Sequence, residues 1–588
     1  MKRQLAAALL LSSALFAPIA HAQSLSADGA GQTLQRLSDQ FFDEFWFPHN
    51  PSMGTALGLH QYDEKLENFS AAEEKSNVVA LQEWEKKIAA IPADGLDAGP
   101  RADRELLLNY IRTQILQMDA VRGWEKNPDN YSSGVTNSIF MLMERPFAPA
   151  NTRLRSAVAR EKQIPEALAE ARKNLKNPPH IYTEIALQQI DGDVSFFEND
   201  VPAAFKDATD KAAQAEFAKS NAAVVEALKS YGVWMKDDLL ARSNGDYKWG
   251  AETYSRMLAS QEMVDTPLGK LLEIGLADLH KNQAEFARVA KQIDPTKTPE
   301  QELAELATIH PAPKDLIASF GLTFDSLQSF IRSHHIITLP ANTQPVLEET
   351  PPFMRATTQA SMDPPGAFET GTDKAYFNVT LPDPRWPKAK QDEYMAAFNE
   401  GTIVSTSVHE AFPGHYVQFL WQKQFPSRIR KIVMANTNVE GWAHYCEQMM
   451  LDEGYGESVA KTPRDAKLIR LGQLQDALLR DARFVVAIRL HTGVGGPMTT
   501  GQAVEFFVKE GYQSRPIAEV ETKRGTSDAL YLYYTLGKLE IMKLREDVRK
   551  KQGAAFSLEK FHDQLMLQGM VPIKIARQAM LHDGSPVL

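Results

Sequence analysis

The sequence predicts a predominantly α-helical protein that contains one small antiparallel β-sheet. Most of the chain is rich in Ala, Leu, Glu, Lys and Gln, which are residues that favour helix. Apolar residues in these stretches recur at three- and four-residue spacing, as the buried face of a helix requires. A proline-rich stretch at 336–386 departs from this pattern and holds short segments of aromatic and β-branched residues, which favour strand.

The first residues have the pattern of a secretory signal peptide, which we place at 1–22. Two basic residues precede an apolar run at 5–16, and A-H-A at 20–22 matches a cleavage site. An uncleaved membrane anchor is the alternative interpretation, but the apolar run is too short to span a bilayer in the mature chain. We therefore expect cleavage near Ala22 and export to the periplasm. Lipid attachment is not expected, since the residue directly after the cleavage site is not a cysteine.

Amphipathic patterns mark the helices of an N-terminal region at 23–335. The predicted segments are 34–47, 72–91, 102–118, 152–175, 207–240 and 267–293. Pro48 is expected to end the first of them. Helical patterning returns after Trp386 and continues to the end of the sequence. Residues 336–588 are predicted to form a second region that shares one continuous fold with the preceding helices.

Residues 375–380 give the clearest strand prediction, because A-Y-F-N-V-T combines aromatic and β-branched side chains. Two interpretations of this strand stay open. It is either an edge strand that aligns an extended peptide through main-chain hydrogen bonds, or a structural strand that covers the core.

Charge and cysteine content exclude several classes of protein. The net charge of -11 at pH 7 argues against nucleic acid or an anionic membrane as a partner. Cys446 is the only cysteine, so the chain cannot form an intramolecular disulfide and its stability must come from packing. After signal cleavage we expect no membrane contact, because no later run is long and apolar enough to cross a bilayer.

The segment H-E-A-F-P-G-H at 409–415 carries two histidines and a glutamate. In metallopeptidase helices with H-E-x-x-H, both histidines bind zinc from one face, and the glutamate acts as a base. Here the second histidine follows the first by six residues, which on a regular helix turns its side chain about 120° away. A break at Pro413 and Gly414 would bring His415 back over His409. The alternative interpretation is a pair of ordinary histidines that flank a helix kink.

A second acidic segment, E-G-W-A-H-Y-C-E at 440–447, is predicted to lie on a separate helix. Glu440 is the predicted third ligand, since catalytic zinc sites have three protein ligands and one open position. His444 and Glu447 share a helix face with Glu440. They are expected to orient the imidazole ligands through hydrogen bonds.

These two segments resemble the bacterial family catalogued as domain of unknown function 885 (DUF885). The family pattern is similar to H-E-A-(aromatic)-P-G-H followed by E-G-W-A-x-Y-x-E, and the joint occurrence of both is specific. The resemblance covers most of the mature chain and includes similar blocks at 41–66, 247–254 and 364–366. It implies a zincin-like helical metallopeptidase fold, with the antiparallel sheet near the metal site.

The resemblance also indicates residues that stabilise the charge developing on a carbonyl oxygen, a task that Tyr or His donors perform in many zincins. Tyr534 matches the family's Tyr-x-x-Gly step, in which Gly537 is expected to leave room for substrate. His491 ends the stretch that corresponds to a family helix with a Gly-(aliphatic)-His step, and in this stretch Ala487 stands where the family often has Asp. Tyr531 is the alternate to Tyr534, and simple packing of both tyrosines on the core is the other interpretation.

Together these patterns predict a zinc-dependent peptidase whose partner is a peptide substrate. His409, His415 and Glu440 are expected to bind Zn²⁺, and Glu410 is expected to act as general base for water that attacks a peptide carbonyl. Two alternative functions stay open. One is a periplasmic helical binding or chaperone-like protein with a non-catalytic metal site, and the other is a metal hydrolase that acts on non-peptide amides.

Overall fold

Helices account for 71% of the chain and strands for 2%, which confirms the predominantly helical prediction. The computed structural model describes residues 27–355 and 358–588. The predicted signal peptide at 1–22 and its cleavage near Ala22 lie outside these residues. Among the described residues, no helix combines the length and the apolar character that a membrane span requires.

The N-terminal half is a series of helices joined by short turns. Its α-helices are Ala27–Gln40, Phe47–His49, Pro51–Ala56, Ala71–Ala89, Ala98–Leu116, Gly123–Lys126, Asp129–Glu144, Ala150–Glu161, Ile164–Asn174, His180–Ser195, Val201–Ala204, Lys211–Trp234, Gly250–Met257, Leu268–Ile293, Pro299–Leu306 and Leu316–Ser333. Turns of π-helix are Phe41–Trp46, Gln117–Val121, Phe196–Asp200, Met235–Leu239 and Leu258–Glu262. Turns of 3-10 helix in the described chain are His60–Tyr62, Ala93–Gly95, Leu240–Arg242, Pro313–Asp315, Pro352–Met354, Ala396–Phe398 and Gly553–Ala555.

Two predicted helix boundaries differ from the structure for reasons that involve proline. The first helical run continues past Pro48 to His49, because Pro48 lies in the first turn of Phe47–His49, where its missing N–H is tolerated. The segment predicted at 152–175 is divided in two. Its second part begins at Ile164 with a proline in the first turn, where proline readily starts a new helix.

Six helices of the C-terminal half build or support the candidate site. They are α1 (Glu400–Glu410), α2 (His415–Gln422), α3 (Asn436–Asp452), α4 (Pro463–Thr492), α5 (Arg515–Ser527) and α6 (Tyr533–Gln552). The other α-helices of this half are Lys388–Met395, Arg428–Ile432, Tyr455–Val459, Thr500–Lys509, Leu558–Met566 and Ile573–Leu581. Helix α3 packs along α6, and α4 packs against both α1 and Leu268–Ile293.

The sheet is mixed, which corrects the antiparallel prediction. Its strands β1 (Val346–Glu349), β2 (Ala360–Asp363) and β3 (Tyr376–Val379) lie in the order β1-β3-β2. Strand β3 is parallel to β1 and antiparallel to β2. The strand predicted at 375–380 is therefore the buried central strand, with a structural role, and the edge strands are β1 and β2.

Apolar side chains from both halves of the chain form a common core around α1 and the sheet. Phe324, on the helix Leu316–Ser333, illustrates the connection. Its ring centroid lies 6.2 Å from that of Phe377 on β3 and 5.6 Å from that of Phe412. Because Phe412 lies between α1 and α2, this packing supports the chain where the two predicted histidine ligands diverge.

Candidate metal centre

Helix α1 ends at Glu410 and α2 begins at His415, so the two histidines lie on different helices. Pro413 lacks the N–H that would continue the helix. At Gly414 a Cβ would lie 1.8 Å from the carbonyl oxygen of His409, so only glycine permits this close turn. The imidazole centroids of His409 and His415 are consequently 4.8 Å apart. The break predicted at Pro413 and Gly414 is confirmed.

Three possible ligand atoms converge beside this break. Oε2 of Glu440 lies 3.3 Å from Nε2 of His409 and 3.3 Å from Nε2 of His415. The three residues place ligand atoms within 4.8 Å of one another. Donor atoms that bind one zinc ion tetrahedrally at about 2.05 Å are about 3.3 Å apart. In composition and spacing, the two imidazole nitrogens and the carboxylate oxygen fit the donor set of a catalytic zinc site.

Glu447 holds the ring of His409 from the opposite side. Its Oε1 accepts a hydrogen bond from Nδ1 of His409 at 2.7 Å, which leaves Nε2 directed toward Glu440. Carboxylates that bond to the second nitrogen of a histidine ligand fix its orientation in many zinc sites. Burial lowers the pKa of His409, but its hydrogen bonds with Glu440 and Glu447 outweigh burial and raise the pKa to about 9.

His444 and Arg480 contact Glu447 and so support the cluster of His409, His415 and Glu440. Nδ1 of His444 lies 3.1 Å from Oε2 of Glu447, and Nη2 of Arg480 lies 3.3 Å from its Oε1. Burial lowers the pKa of His444 to about 4, so this imidazole stays neutral at pH 7. His444 therefore contacts a supporting carboxylate, and it is not itself in contact with a histidine of the cluster.

The first turn of α3, which carries Glu440, is held by a buried carboxylate. Glu262 accepts hydrogen bonds from the backbone N–H and the hydroxyl of Thr437 at 2.8 and 2.7 Å, and from the N–H of Asn436 at 3.2 Å. A carboxylate at a helix N-terminus satisfies free N–H groups and is stabilised by the helix dipole. Glu262 therefore fixes the start of α3 one turn before Glu440.

Helices α3 and α6 touch backbone to backbone next to the cluster. A Cβ on Gly441 would lie 2.5 Å from Cα of Gly537, and a Cβ on Gly537 would lie 1.8 Å from the carbonyl oxygen of Thr437. Glu440 and Tyr534 lie close to these glycines in sequence, so the contact sets the spacing between them. The expectation that Gly537 leaves room for substrate was wrong, because its missing side chain serves helix packing.

We expect Gly537→Ala to lower the free energy of unfolding by about 1–3 kcal/mol, the usual cost of overpacking. The reason is that the added methyl group must push α6 away from the backbone of Thr437. Urea denaturation of purified protein measures the effect. Gly501→Ala is the matched control, because a Cβ there meets no atom within 4 Å. Equal stability of the two variants would contradict the close approach of α6 to the backbone of Thr437.

Glu410 and the three residues of the cluster line one cavity of about 660 Å³. Glu410 is 7% exposed, and its Oε2 is buried and accepts no hydrogen bond from the described residues. Buried carboxylate oxygens normally have partners. The carboxylate of Glu410 is therefore not committed at this oxygen to another described residue.

Residues 358–362, which include most of β2, also line this cavity. The N–H of Thr380 donates to the carbonyl oxygen of Gln359 at 2.8 Å. Because bonding alternates along an antiparallel pair, the N–H and C=O groups of Ala360 and Met362 are directed away from β3. The edge strand at the cavity is therefore β2, which the sequence analysis missed.

Tyr534 lies in the cavity, as predicted. Its ring stacks near His409, with the centroids 6.2 Å apart and the planes 24° from parallel. Nη2 of Arg524 donates to the phenol oxygen at 2.9 Å, which leaves the phenol proton available to donate. Burial raises the pKa of Tyr534 to about 12, so the phenol keeps its proton at pH 7.

His491 and Tyr531 lie outside this cavity, so the expected catalytic role of His491 does not agree with the structure. Nε2 of His491 bonds to the carbonyl oxygen of Gly525 at 2.7 Å, and its ring packs against Tyr247 and Trp249. Tyr531 is fully buried. His491 was taken from the family resemblance and Tyr531 from its spacing to Tyr534, and neither argument reveals which side chains face the cavity.

Arg483 has a partner that the sequence analysis did not identify. Its Nε and Nη2 donate to the two carboxylate oxygens of Glu521 at 2.6 and 2.8 Å. Ala487 is fully buried, so an acid at that position is not needed to pair Arg483. The clue available in the sequence was the presence of arginines in the otherwise apolar stretch 482–490, because charged residues are rarely buried without partners.

Comparisons with known proteins agree on the fold. A structure of a proposed lipoprotein of unknown function from Shewanella oneidensis has a TM-score of 0.75 and 25% identity, covering 93% of this chain and 99% of that chain. A crystal structure of a proposed lipoprotein from Colwellia psychrerythraea has a TM-score of 0.77 and 18% identity, covering 95% and 99%. No curated protein matches the chain. The sequence profile described as "Bacterial protein of unknown function (DUF885)" matches residues 51–580. The chain therefore belongs to the DUF885 family.

Proposed function

We propose that this protein is a zincin-like, zinc-dependent peptide hydrolase. One observation carries the proposal: three convergent ligand atoms share a cavity with the buried carboxylate oxygen of Glu410, which has no partner among the described residues. His409, His415 and Glu440 would hold the ion. A purely structural zinc site normally has four protein ligands, whereas a catalytic site has three and an open position. A bound zinc ion would act as a Lewis acid and would lower the pKa of a bound water molecule to about 7.

Glu410 is the general base of the proposed reaction. Its carboxylate takes a proton from the attacking water as the new bond to the carbonyl carbon forms. The same carboxyl group then delivers that proton to the amide nitrogen as the carbon–nitrogen bond breaks. The carboxylate suits this task because it lies next in sequence to His409 and faces the same cavity.

The edge of β2 is suited to hold an extended peptide. The outward N–H and C=O groups of Ala360 and Met362 would pair with a substrate main chain, as in other complexes in which a peptide adds to a sheet edge. An adjoining cavity of about 290 Å³ shares Asn127, Asn130 and Tyr182 with the first. The combined space would accommodate several residues of a peptide.

Tyr534 is the proposed donor to the carbonyl oxygen as that oxygen becomes negative. We expect Tyr534→Phe to lower kcat by about 10- to 1000-fold while zinc content and stability stay unchanged, since only one hydroxyl is lost. Tyr455→Phe is the matched control, because its hydroxyl bonds to Ser326 at 2.8 Å and it lines neither of the two cavities. Unchanged turnover in Tyr534→Phe on a peptide that the wild type cleaves would exclude this role.

We further infer that the protein is exported to the periplasm, as its first residues predict. The two similar structures are of proposed lipoproteins, a class that is carried across the inner membrane. This supports export of the present chain, and the sequence pattern at 20–22 supports removal of the signal peptide.

A digest of a defined peptide mixture tests the function directly. Purified protein loaded with zinc is incubated with the mixture, and new termini are identified by mass spectrometry. We expect cleavage products that disappear when a chelator is added and return when zinc is restored. Intact peptides throughout would contradict a peptidase and leave a binding protein or a hydrolase of other amides.

A further inference from the structure

Three arginines surround the ring of Tyr534 beside the metal cluster. The guanidinium carbons of Arg483, Arg524 and Arg480 lie 4.8, 5.7 and 6.0 Å from the ring centroid. All three residues line the cavity. The proposed mechanism uses none of these charges, so their role depends on what each guanidinium already binds.

Two of the three arginines are occupied by buried carboxylates. Arg483 bonds through Nε and Nη2 to Glu521, and the two side chains are only 7% and 6% exposed. Arg480 is 11% exposed and lies 3.3 Å from Glu447 and 3.3 Å from Asp476. These ion pairs hold α4 against its neighbours, and they leave little capacity for a ligand.

Arg524 is different. Its carboxylate partner is Asp528, one turn later in sequence, and the nitrogen–oxygen distances of 3.2 and 3.4 Å are long for a charged pair. Its side chain is 27% exposed, and Nη1 donates to no described residue. Nη2 also donates to the phenol oxygen of Tyr534 at 2.9 Å. Arg524 thus faces the cavity with a free N–H beside the proposed oxyanion donor.

We propose that Arg524 binds a carboxylate of the substrate, and that this group is the C-terminal carboxylate of a peptide. The inference rests on the proposed peptidase function and names the substrate class of the same site. A guanidinium stays charged at all relevant pH values and donates strong, charge-assisted hydrogen bonds to a carboxylate, and the N–H groups of Nη1 are available for them. Because Arg524 contacts Tyr534 and Tyr534 stacks near His409, the bound carboxylate lies near the bond to be cleaved. Cleavage therefore occurs close to the C-terminus.

An Asp or Glu side chain carries the same chemical group, so the test must separate the two sources. We use the Glu410→Gln protein loaded with zinc, which holds a peptide without cleaving it, and titrate it by calorimetry. Three peptides of one sequence are compared: the free acid without acidic side chains, its C-terminal amide, and that amide with one Gln replaced by Glu.

We expect the free acid to bind about 10- to 100-fold more tightly than the amide, the usual effect of hydrogen bonds to a charged group. Adding Arg524→Gln should remove this difference, and Arg524→Lys should restore part of it. Adding Lys523→Gln is the matched control, because it removes one charge from the neighbouring residue, which bonds to Gln188 instead of lining the cavity. The control should keep the full difference.

Two results would overturn the inference. Equal weakening of all three peptides by Arg524→Gln would show that Arg524 only positions Tyr534. Binding of the Glu-containing amide as tightly as the free acid would show that the site binds an acidic side chain instead of the C-terminal carboxylate. The titration needs no turnover, so a wild-type protein that cleaves no peptide would contradict the peptidase function without changing these ratios.

Discussion

Glu410→Gln is expected to lower peptide hydrolysis by about 100- to 10,000-fold, the range that a general base contributes. Glutamine keeps the size of the side chain and its place in the cavity, but its amide cannot accept the proton from water. Zinc content should stay equal to that of the wild type, because Glu410 is not one of the three convergent ligands. Turnover and zinc content are measured on the same preparation.

Glu400→Gln is the matched control for this variant. This substitution makes the same chemical change on the same helix, but the side chain of Glu400 lies exposed in the first turn of α1. We expect it to retain full activity. Loss of zinc in Glu410→Gln, or activity equal to that of the control, would contradict the assignment of Glu410 as base.

The second large effect concerns metal binding by the cluster. Loss of a residue that only supports a ligand weakens metal binding by up to roughly 100-fold. His415→Ala should weaken zinc binding by more than this, because only two protein ligands remain. His409→Ala and Glu440→Gln should behave in the same way. Competition with a chromogenic chelator measures the dissociation constants.

Two further variants complete this series. Glu447→Gln should weaken zinc binding by about 10- to 100-fold, since it perturbs the hydrogen bond to Nδ1 of His409 without removing a ligand. His335→Ala should have no effect, because its side chain is 77% exposed and pairs with Glu559. Full zinc affinity in His415→Ala would mean that the break at Pro413 and Gly414 does not serve metal binding.

Local sequence features predicted well that His409, His415 and Glu440 come together. The break between α1 and α2 follows from Pro413 and Gly414, whose backbone properties act within a few residues. Glu440 was chosen because a catalytic zinc site needs a third protein ligand, and Glu447 followed from helical spacing within the same segment. Such short-range relations can be predicted from the sequence because the helix geometry that connects the residues is fixed.

Long-range relations were not predictable in the same way. The sequence indicates a strand at 375–380, but its central position depends on pairing with both β1 and β2. His491 has a plausible spacing, yet the helix around it is buried on all sides, so no amphipathic pattern marks the side that faces the cavity. The close contact of Gly441 with Gly537 likewise joins segments far apart in sequence.

The arginines near Tyr534 show the same limit. A buried arginine can be suspected from its apolar neighbours in sequence, but its partner cannot be identified in this way, and Glu521 lies 38 residues from Arg483. The free N–H of Arg524 follows from the weak pairing with Asp528 and from the shape of the cavity. Both depend on how α4, α5 and α6 meet, which one sequence does not specify.

Crystals of the zinc-loaded protein allow the central claim to be tested by anomalous diffraction at the zinc absorption edge. We expect one strong peak per chain within bonding distance of Nε2 of His409, Nε2 of His415 and Oε2 of Glu440, and its loss just below the edge. A map with no peak at these three atoms, or with zinc bound elsewhere on the chain, would contradict the proposed metal centre.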